Sequence, residues 1–226
     1  MGTWRFCRVK KSGTWNRFVA ASGLLLAFVC VSCNRGPSRI QPPSIDASES
    51  ASQAMEMYDT DGDGYLAAGE LDKVPGLKAA IETLDTDKDG KVSADEIEAR
   101  IEAWQASRIG VATIMCVLRL DGQPLVGADI AFEPESFLGD AIQPAIGTSD
   151  FVGAAYPRIP KEKRPVADMP GGMQLGLYRI RVSKLANGKE TIPAKYNTAT
   201  TLGQQIAPDD PAIQKQQKIV LDLKSR

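Results

Sequence analysis

Hydrophobic positions follow two different spacings along the chain. Over residues 48–107 apolar residues recur at helical spacing, and Ile97, Ile101 and Trp104 fall on one face of a helix. Over residues 110–226 the pattern changes to alternation and short apolar runs, which are typical of β-strands. The sequence therefore predicts an α + β chain of several domains, in which a helical domain precedes an antiparallel β-domain.

The helical domain is predicted to contain four helices. Ser48 is the predicted N-cap of the first helix. The pair Pro75-Gly76 interrupts the domain, because proline cannot continue a helix and glycine readily ends one. The predicted helices cover residues 48–58, roughly one turn before Pro75, residues 77–84 and residues 94–107.

Six or seven short strands are predicted in the β-domain, which together favour a β-sandwich. Asn187-Gly188 and the segment DGQPL at 121–125 are predicted turns, and residues 157–172 are a predicted loop. Cys116 lies in an apolar run and is predicted to be a core residue. The predicted strands are 111–120, 128–133, 153–156, 175–183 and 218–223, with Tyr196 on another short strand.

Two acidic segments of one pattern lie between the predicted helices. DTDGDGYLAAGE spans residues 59–70, and DTDKDGKVSADE spans residues 85–96. Calcium is a hard cation that takes about 6–8 oxygen ligands, which a twelve-residue loop supplies from positions 1, 3, 5, 7, 9 and 12. Gly64 and Gly90 stand at position 6, where the backbone must turn sharply. The predicted ligands are Asp59, Asp61, Asp63, the carbonyl of Tyr65, a water near Ala67 and Glu70, and then Asp85, Asp87, Asp89, the carbonyl of Lys91, Ser93 and Glu96.

With their flanks, the two segments resemble the EF-hand family over residues 48–104. The resemblance implies a pair of EF hands at 48–107, joined by a short β-bridge at Leu66 and Val92, with Ca²⁺ as the cofactor. Dockerin repeats use similar loops and are an alternative. They lack the entry helices that the apolar residues before each loop predict.

The N-terminal segment has the pattern of an export signal. Residues 4–17 are basic, and the apolar run FVAASGLLLAFVCV follows at 18–31. This run is shorter than the roughly 20 residues that a membrane-spanning helix needs. An uncleaved N-terminal anchor is the alternative interpretation.

The segment CVSC, residues 30–33, resembles a bacterial lipobox. The resemblance implies a lipoprotein signal peptide at 1–32 and a lipid-modified Cys33, with Cys30 as the alternative site. Residues 33–47 are rich in proline and small polar residues and predict a disordered tether. The chain is therefore expected to be exported and lipid-anchored in the bacterial cell envelope, with a membrane as partner.

Composition excludes several classes of function. The net charge is −1, which gives no basic field for nucleic acid. There is no histidine, so Ser-His-Asp catalysis, Cys-His catalysis and His-ligated zinc are excluded. Acid–base chemistry would need carboxylates outside the loops, and none of these lies in a catalytic motif, so no enzyme is predicted. The candidates are Glu133, Glu135, Asp140, Asp150 and Asp168.

Three segments of the β-domain carry a second resemblance. VLRLDGQPLVGADIAFEPE, TSDFVGAAY and GLYRIRVSK resemble the strands of carboxypeptidase-regulatory-like or transthyretin-like modules of the Ig type. The resemblance covers most of residues 110–226 and implies a non-catalytic accessory domain. Together with the lipobox, the segment IPAKYN at 192–197 is similar to small exported lipoproteins of some bacteria.

The sequence thus predicts a calcium-binding envelope lipoprotein with a structural or interaction role. One alternative is an adhesion or recognition module that binds an envelope protein or glycan through the β-sandwich. Another alternative is a His-independent hydrolase.

Overall fold

The computed structural model describes residues 40–216 and 218–226. The predicted signal peptide and Cys33 lie outside these residues. Helix α1 (Ala47–Tyr58) begins at Asp46, whose carboxylate accepts a hydrogen bond of 3.0 Å from the backbone N–H of Glu49. The cap is therefore Asp46 and not the predicted Ser48, and aspartate caps a helix about as well as serine.

The predicted interruption at Pro75-Gly76 has a different form in the structure. Pro75 is the first residue of a new helix, a position that proline tolerates because no backbone N–H donor is needed there. The predicted helix at 77–84 is divided at Ala80 into two short helices. The elements of this segment are β1 (Tyr65–Leu66), α2 (Ala68–Leu71), α3 (Pro75–Ala79), α4 (Ile81–Leu84), β2 (Val92–Ser93) and α5 (Ala94–Ala106).

Short strands are the main regular elements of the second half. The chain also forms 3₁₀ turns at Ser136–Ala141, Lys161–Lys163 and Ala194–Tyr196, so Tyr196 lies on a 3₁₀ turn and not on a strand. The remaining elements are β3 (Met115–Leu120), β4 (Gln123–Pro124), β5 (Asp129–Pro134), β6 (Ala145–Thr148), β7 (Ala154–Ala155), β8 (Gly176–Ser183), β9 (Leu185–Ala186), β10 (Lys189–Glu190), β11 (Gly203–Ile206), α6 (Pro211–Gln216) and β12 (Lys218–Leu223).

Two larger sheets are built from these strands. The first has the order β11-β8-β5-β6 and is antiparallel throughout. The second has the order β12-β3-β4, with β7 also paired to β3. In this sheet β12 runs parallel to β3, so the predicted antiparallel arrangement is wrong there. A parallel pair needs a long crossover, which the chain between β3 and β12 provides.

The predicted turn at Asn187-Gly188 is confirmed. It joins β9 to β10, and both residues have positive φ, 52° and 75°. This is the backbone conformation of a type I′ hairpin, which favours an asparagine–glycine pair. Cys116 is fully buried as predicted, and burial raises the pKa of its thiol to about 12.

One hydrophobic core runs through the helical segment and both sheets. Trp104 of α5, Phe132 of β5 and Leu221 of β12 belong to the same cluster of buried side chains. The division of the chain at 107–110 stays a sequence-based prediction, while the core is continuous across it. None of the helices in the described residues is long and apolar enough to cross a membrane.

Residues 40–46 lie against this core. The side chain of Ile45 is buried, and its carbonyl accepts a hydrogen bond of 2.6 Å from the Gln105 amide. The disordered tether predicted at 33–47 stays a prediction, and its last residues, from Ile40 to Ala47, pack against the core through Ile45.

Helix α3, between the two acidic loops, rests directly on the first sheet. A β-carbon at Gly203 of β11 would lie 1.8 Å from the carbonyl oxygen of Pro75. The backbone N–H of Gly76 donates a hydrogen bond of 2.8 Å to the buried carboxylate of Glu135. These contacts allow no side chain between helix and sheet, so the segment that spaces the loops is held by the β-strands.

Candidate metal centre

The two acidic loops are paired by a short antiparallel bridge. Tyr65 lies opposite Ser93, and Leu66 lies opposite Val92. Leu66 and Val92 are fully buried, which fixes the bridge to the core. The two loops are therefore held side by side, as the sequence pattern predicts.

In the first loop, carboxylate oxygens of Asp59, Asp61 and Asp63 lie within 4.8 Å of one another. The backbone holds them in place, since Asp59 accepts hydrogen bonds of 2.7 Å from Gly62 and 3.0 Å from Gly64. Gly64 has a φ of +84°, a conformation that a side chain would strain. The loop thus gathers three carboxylates around one point without a basic residue of its own.

The second loop repeats the arrangement with Asp85, Asp87 and Asp89, whose carboxylate oxygens also lie within 4.8 Å of one another. Asp85 accepts a hydrogen bond of 2.8 Å from Gly90, which has a φ of +82°. A hydrogen bond from Asp89 lowers the pKa of Asp87, but partial desolvation and the charges of Asp89 and Glu96 outweigh it, and the pKa is raised. Crowded carboxylates of this kind fit a cation, which removes the repulsion.

Glu70 and Glu96, at position 12 of the two loops, lie outside the groups of three aspartates. Glu70 accepts hydrogen bonds from the backbone N–H of Thr60 at 2.6 Å and of Ala67 at 3.1 Å. These bonds, that from Thr60 foremost, lower the pKa of Glu70 to about 2. Glu96 is held in the same way by Thr86 at 2.7 Å and by Ser93 at 2.9 Å. Neither glutamate belongs to the groups of three aspartates, and each ties the two ends of its loop together.

The remaining predicted ligands lie beside the bridge. Tyr65 begins β1, and Lys91 directly precedes β2. Ser93 is the N-cap of α5, where its hydroxyl oxygen accepts a hydrogen bond of 3.3 Å from the backbone N–H of Glu96. Their role as ligands, like that of the other predicted residues, stays a prediction.

Two features of the site were not foreseen. Thr60 and Thr86, both at position 2, bind the glutamate of their own loop through hydroxyl and backbone N–H. The same residue type at position 2 of both loops was the available signal. The other feature is an ion pair of 2.9 Å between Lys91 of the second loop and Asp63 of the first. No pattern within a single loop predicts it, because it depends on how the two loops face each other.

Three of the carboxylates considered for acid–base chemistry form structural contacts within the described residues. Glu133 forms an ion pair of 2.8 Å with Arg181, and Glu135 binds Gly76. Asp150 accepts hydrogen bonds of 2.9 Å from the backbone N–H groups of Val152 and Ala154, which close a turn. Asp140 precedes Ala141 at the end of a 3₁₀ turn, and Asp168 lies in the predicted loop at 157–172.

A shallow groove of about 400 Å³ crosses the outer face of the first sheet. The small side chain of Ala131 lies between the half-exposed Ile146 and Arg181 in one cross-strand row. Asp129 lines the same groove and accepts a hydrogen bond of 2.7 Å from the Thr148 hydroxyl. The groove therefore combines an apolar floor with polar groups of both charges.

Comparison with known proteins agrees with the second loop. A family model described as an EF hand matches residues 77–99, which include α4, the second acidic loop and the start of α5. No curated protein matches the chain, and no solved structure matches it. The fold is mixed α and β, and the EF-hand match at 77–99 supports calcium binding.

Proposed function

We propose that the chain binds two Ca²⁺ ions, one in each acidic loop of an EF-hand pair. The observation that carries the proposal is the repetition of one carboxylate arrangement in two paired loops, of which one lies inside the EF-hand match. Each ion would be held by the three aspartates of its loop, with Glu70 or Glu96 and the position-7 carbonyl completing the oxygen set. Bound calcium neutralises charge that the folded loops otherwise crowd together.

Calcium titration of the full chain in mild detergent, by calorimetry and thermal melting, tests this proposal. We expect two sites, with affinities near the roughly 10⁻⁴–10⁻³ M range of extracellular calcium modules, and a rise in the melting temperature. The double variant Asp59→Asn/Asp61→Asn should lose one site, and Asp85→Asn/Asp87→Asn the other. Asp140→Asn, outside the loops, should keep both. Absence of heat and of stabilisation at millimolar calcium would overturn the proposal.

We further propose that the protein is exported and lipid-anchored in the bacterial cell envelope through Cys33. The support is the basic segment, the apolar run and the CVSC motif of the sequence. Mass spectrometry of the membrane fraction should find a mature N-terminus at a lipid-modified Cys33. The variant Cys33→Ser should abolish the modification, whereas Cys30→Ser should leave it intact. Modification that survives Cys33→Ser would refute this assignment.

The role proposed for the chain is structural or interactive and not enzymatic. The two sheets of residues 110–226 are interpreted as a β-sandwich of the carboxypeptidase-regulatory-like type. A second candidate function is recognition of an envelope protein or glycan, and the groove at Ala131 is the observation that favours it. Loss of glycan or partner binding in Ala131→Trp, with calcium binding unchanged, would support the second candidate.

A further inference from the structure

The Lys91 side chain crosses from the second acidic loop to the first. Its ammonium lies 2.9 Å from Oδ2 of Asp63 and 4.9 Å from the centre of the Tyr65 ring. The other carboxylate oxygen of Asp63, Oδ1, accepts a hydrogen bond of 2.9 Å from the backbone N–H of Tyr65. Both oxygens of this predicted ligand therefore already have a donor, and the stronger donor is a cation.

The ammonium also acts on the neighbouring carboxylates. The hydrogen bond to Asp63 raises the pKa of Lys91, and the charges of Asp63, Asp89 and Asp61 raise it further. In return, the hydrogen bond from Lys91 lowers the pKa of Asp63. A lysine ammonium is charged at physiological pH, and at 2.9 Å from Asp63 it reduces the negative charge that the first loop offers to a metal ion.

The second loop lacks such a competitor. Within residues 40–216 and 218–226, Asp85, Asp87 and Asp89 form no ion pair with a lysine or arginine. The predicted ligand from Lys91 to its own loop is the backbone carbonyl, whereas its ammonium contacts Asp63 of the first loop.

We propose that Lys91 is an internal cation that competes with Ca²⁺ for Asp63, so that the second loop fills before the first. This inference rests on the proposed calcium binding. Calcium can use Oδ2 of Asp63 only when the ammonium moves away. The free energy of breaking the ion pair therefore lowers the Ca²⁺ affinity of the first loop. Exposed ion pairs of this kind correspond to a change of about two- to fivefold in affinity.

Terbium titration of the full chain tests the inference, because Tb³⁺ takes the same oxygen ligands as Ca²⁺ and emits when a nearby phenol transfers energy to it. Tyr65 lies in the first loop, and the second loop contains no aromatic residue. We therefore expect the emission excited through tyrosine to come mainly from the first loop. In the wild type we expect a lag in emission at low Tb³⁺, while the second loop fills.

The variant Lys91→Met should shorten the lag and tighten the first-loop titration by about two- to fivefold. Lys88→Met is the matched control, since it removes a lysine from the same loop and leaves the ion pair to Asp63 in place. Lys91→Gln provides a second, polar replacement, and circular dichroism verifies the fold of each variant.

The possible outcomes are distinct. Wild-type binding with no tightening in either Lys91 variant would overturn the inference and leave calcium binding intact. Equal tightening in Lys88→Met would also overturn it, because general charge and not the specific contact would then be responsible. Absence of binding in both loops would overturn the proposed function and this inference together.

Discussion

At the scale of single residues, the two acidic loops differ at position 4. The first loop has Gly62 there, with a φ of +74°, and the second has Lys88, with a φ of +64°. A lysine in this left-handed region costs about 1–2 kcal/mol, while glycine adopts it without strain. The second loop therefore carries backbone strain that the first loop avoids.

Replacing Lys88 by glycine should stabilise the protein. Relief of the strain, offset by the greater freedom of glycine in the unfolded chain, gives an expected gain of about 0.5–1 kcal/mol. Urea denaturation in the presence of a calcium chelator measures it. Lys88→Ala removes the same charge and keeps the strained backbone, so it should give no gain, and an equal gain in both variants would contradict the explanation.

At the scale of elements, the buried Arg100 joins helix α5 to the segment after β11. Its guanidinium binds both carboxylate oxygens of Asp209 at 2.6 and 2.7 Å, and its Nε donates to Gln205 at 2.7 Å. Gln205 is fully buried and also contacts Thr83 at 3.1 Å. The helix that follows the second loop is thus tied to the sheet by hydrogen bonds as well as by apolar packing.

The variant Arg100→Met should lower the free energy of unfolding by about 1–3 kcal/mol, because Gln205 then loses a buried donor. Asp209→Asn is the control: its side chain is half-exposed, it keeps a hydrogen-bonding oxygen, and its cost should be about 0–1 kcal/mol. Chemical denaturation of both variants provides the comparison. Equal losses would show that the ion pair, and not the contact with Gln205, carries the stabilisation.

Elements formed by local rules could be predicted from the sequence. Periodicity located α1 and α5, the acidic pattern located both loops, and Asn187-Gly188 located a hairpin, because each depends on neighbouring residues alone. Contacts between distant segments could not be predicted in this way. The parallel pairing of β12 with β3, the place of Ile45 in the core and the pair Lys91–Asp63 arise only when the chain is folded.

At the scale of the whole molecule, the contact between Gly203 and Pro75 makes the two halves of the chain depend on each other. No side chain fits between α3 and β11, and the core continues on both sides of this contact. A disturbance at this point should therefore reach the acidic loops and the sheets at once.

Gly203→Ala should destabilise the protein by about 1–3 kcal/mol or more, since the added methyl group forces backbone away from backbone. Gly69→Ala is the matched control, because a β-carbon there meets no atom within 4 Å and alanine favours the helix. Thermal melting followed by helical and β-sheet signals should show one lowered transition in Gly203→Ala. Separate transitions for the two signals would contradict a shared core.

The same contact restricts how such a protein can be recombined. A chimera that receives its calcium-binding segment from another protein would need a glycine at position 76 in α3. A β-carbon placed there would lie about 3 Å from Glu135 and from the β8 backbone. Positions 76 and 203 both lie in the contact between α3 and the first sheet, so a side chain added at either position would disturb the same contact. A graft is therefore expected to fold only when donor and acceptor both keep this contact free of side chains.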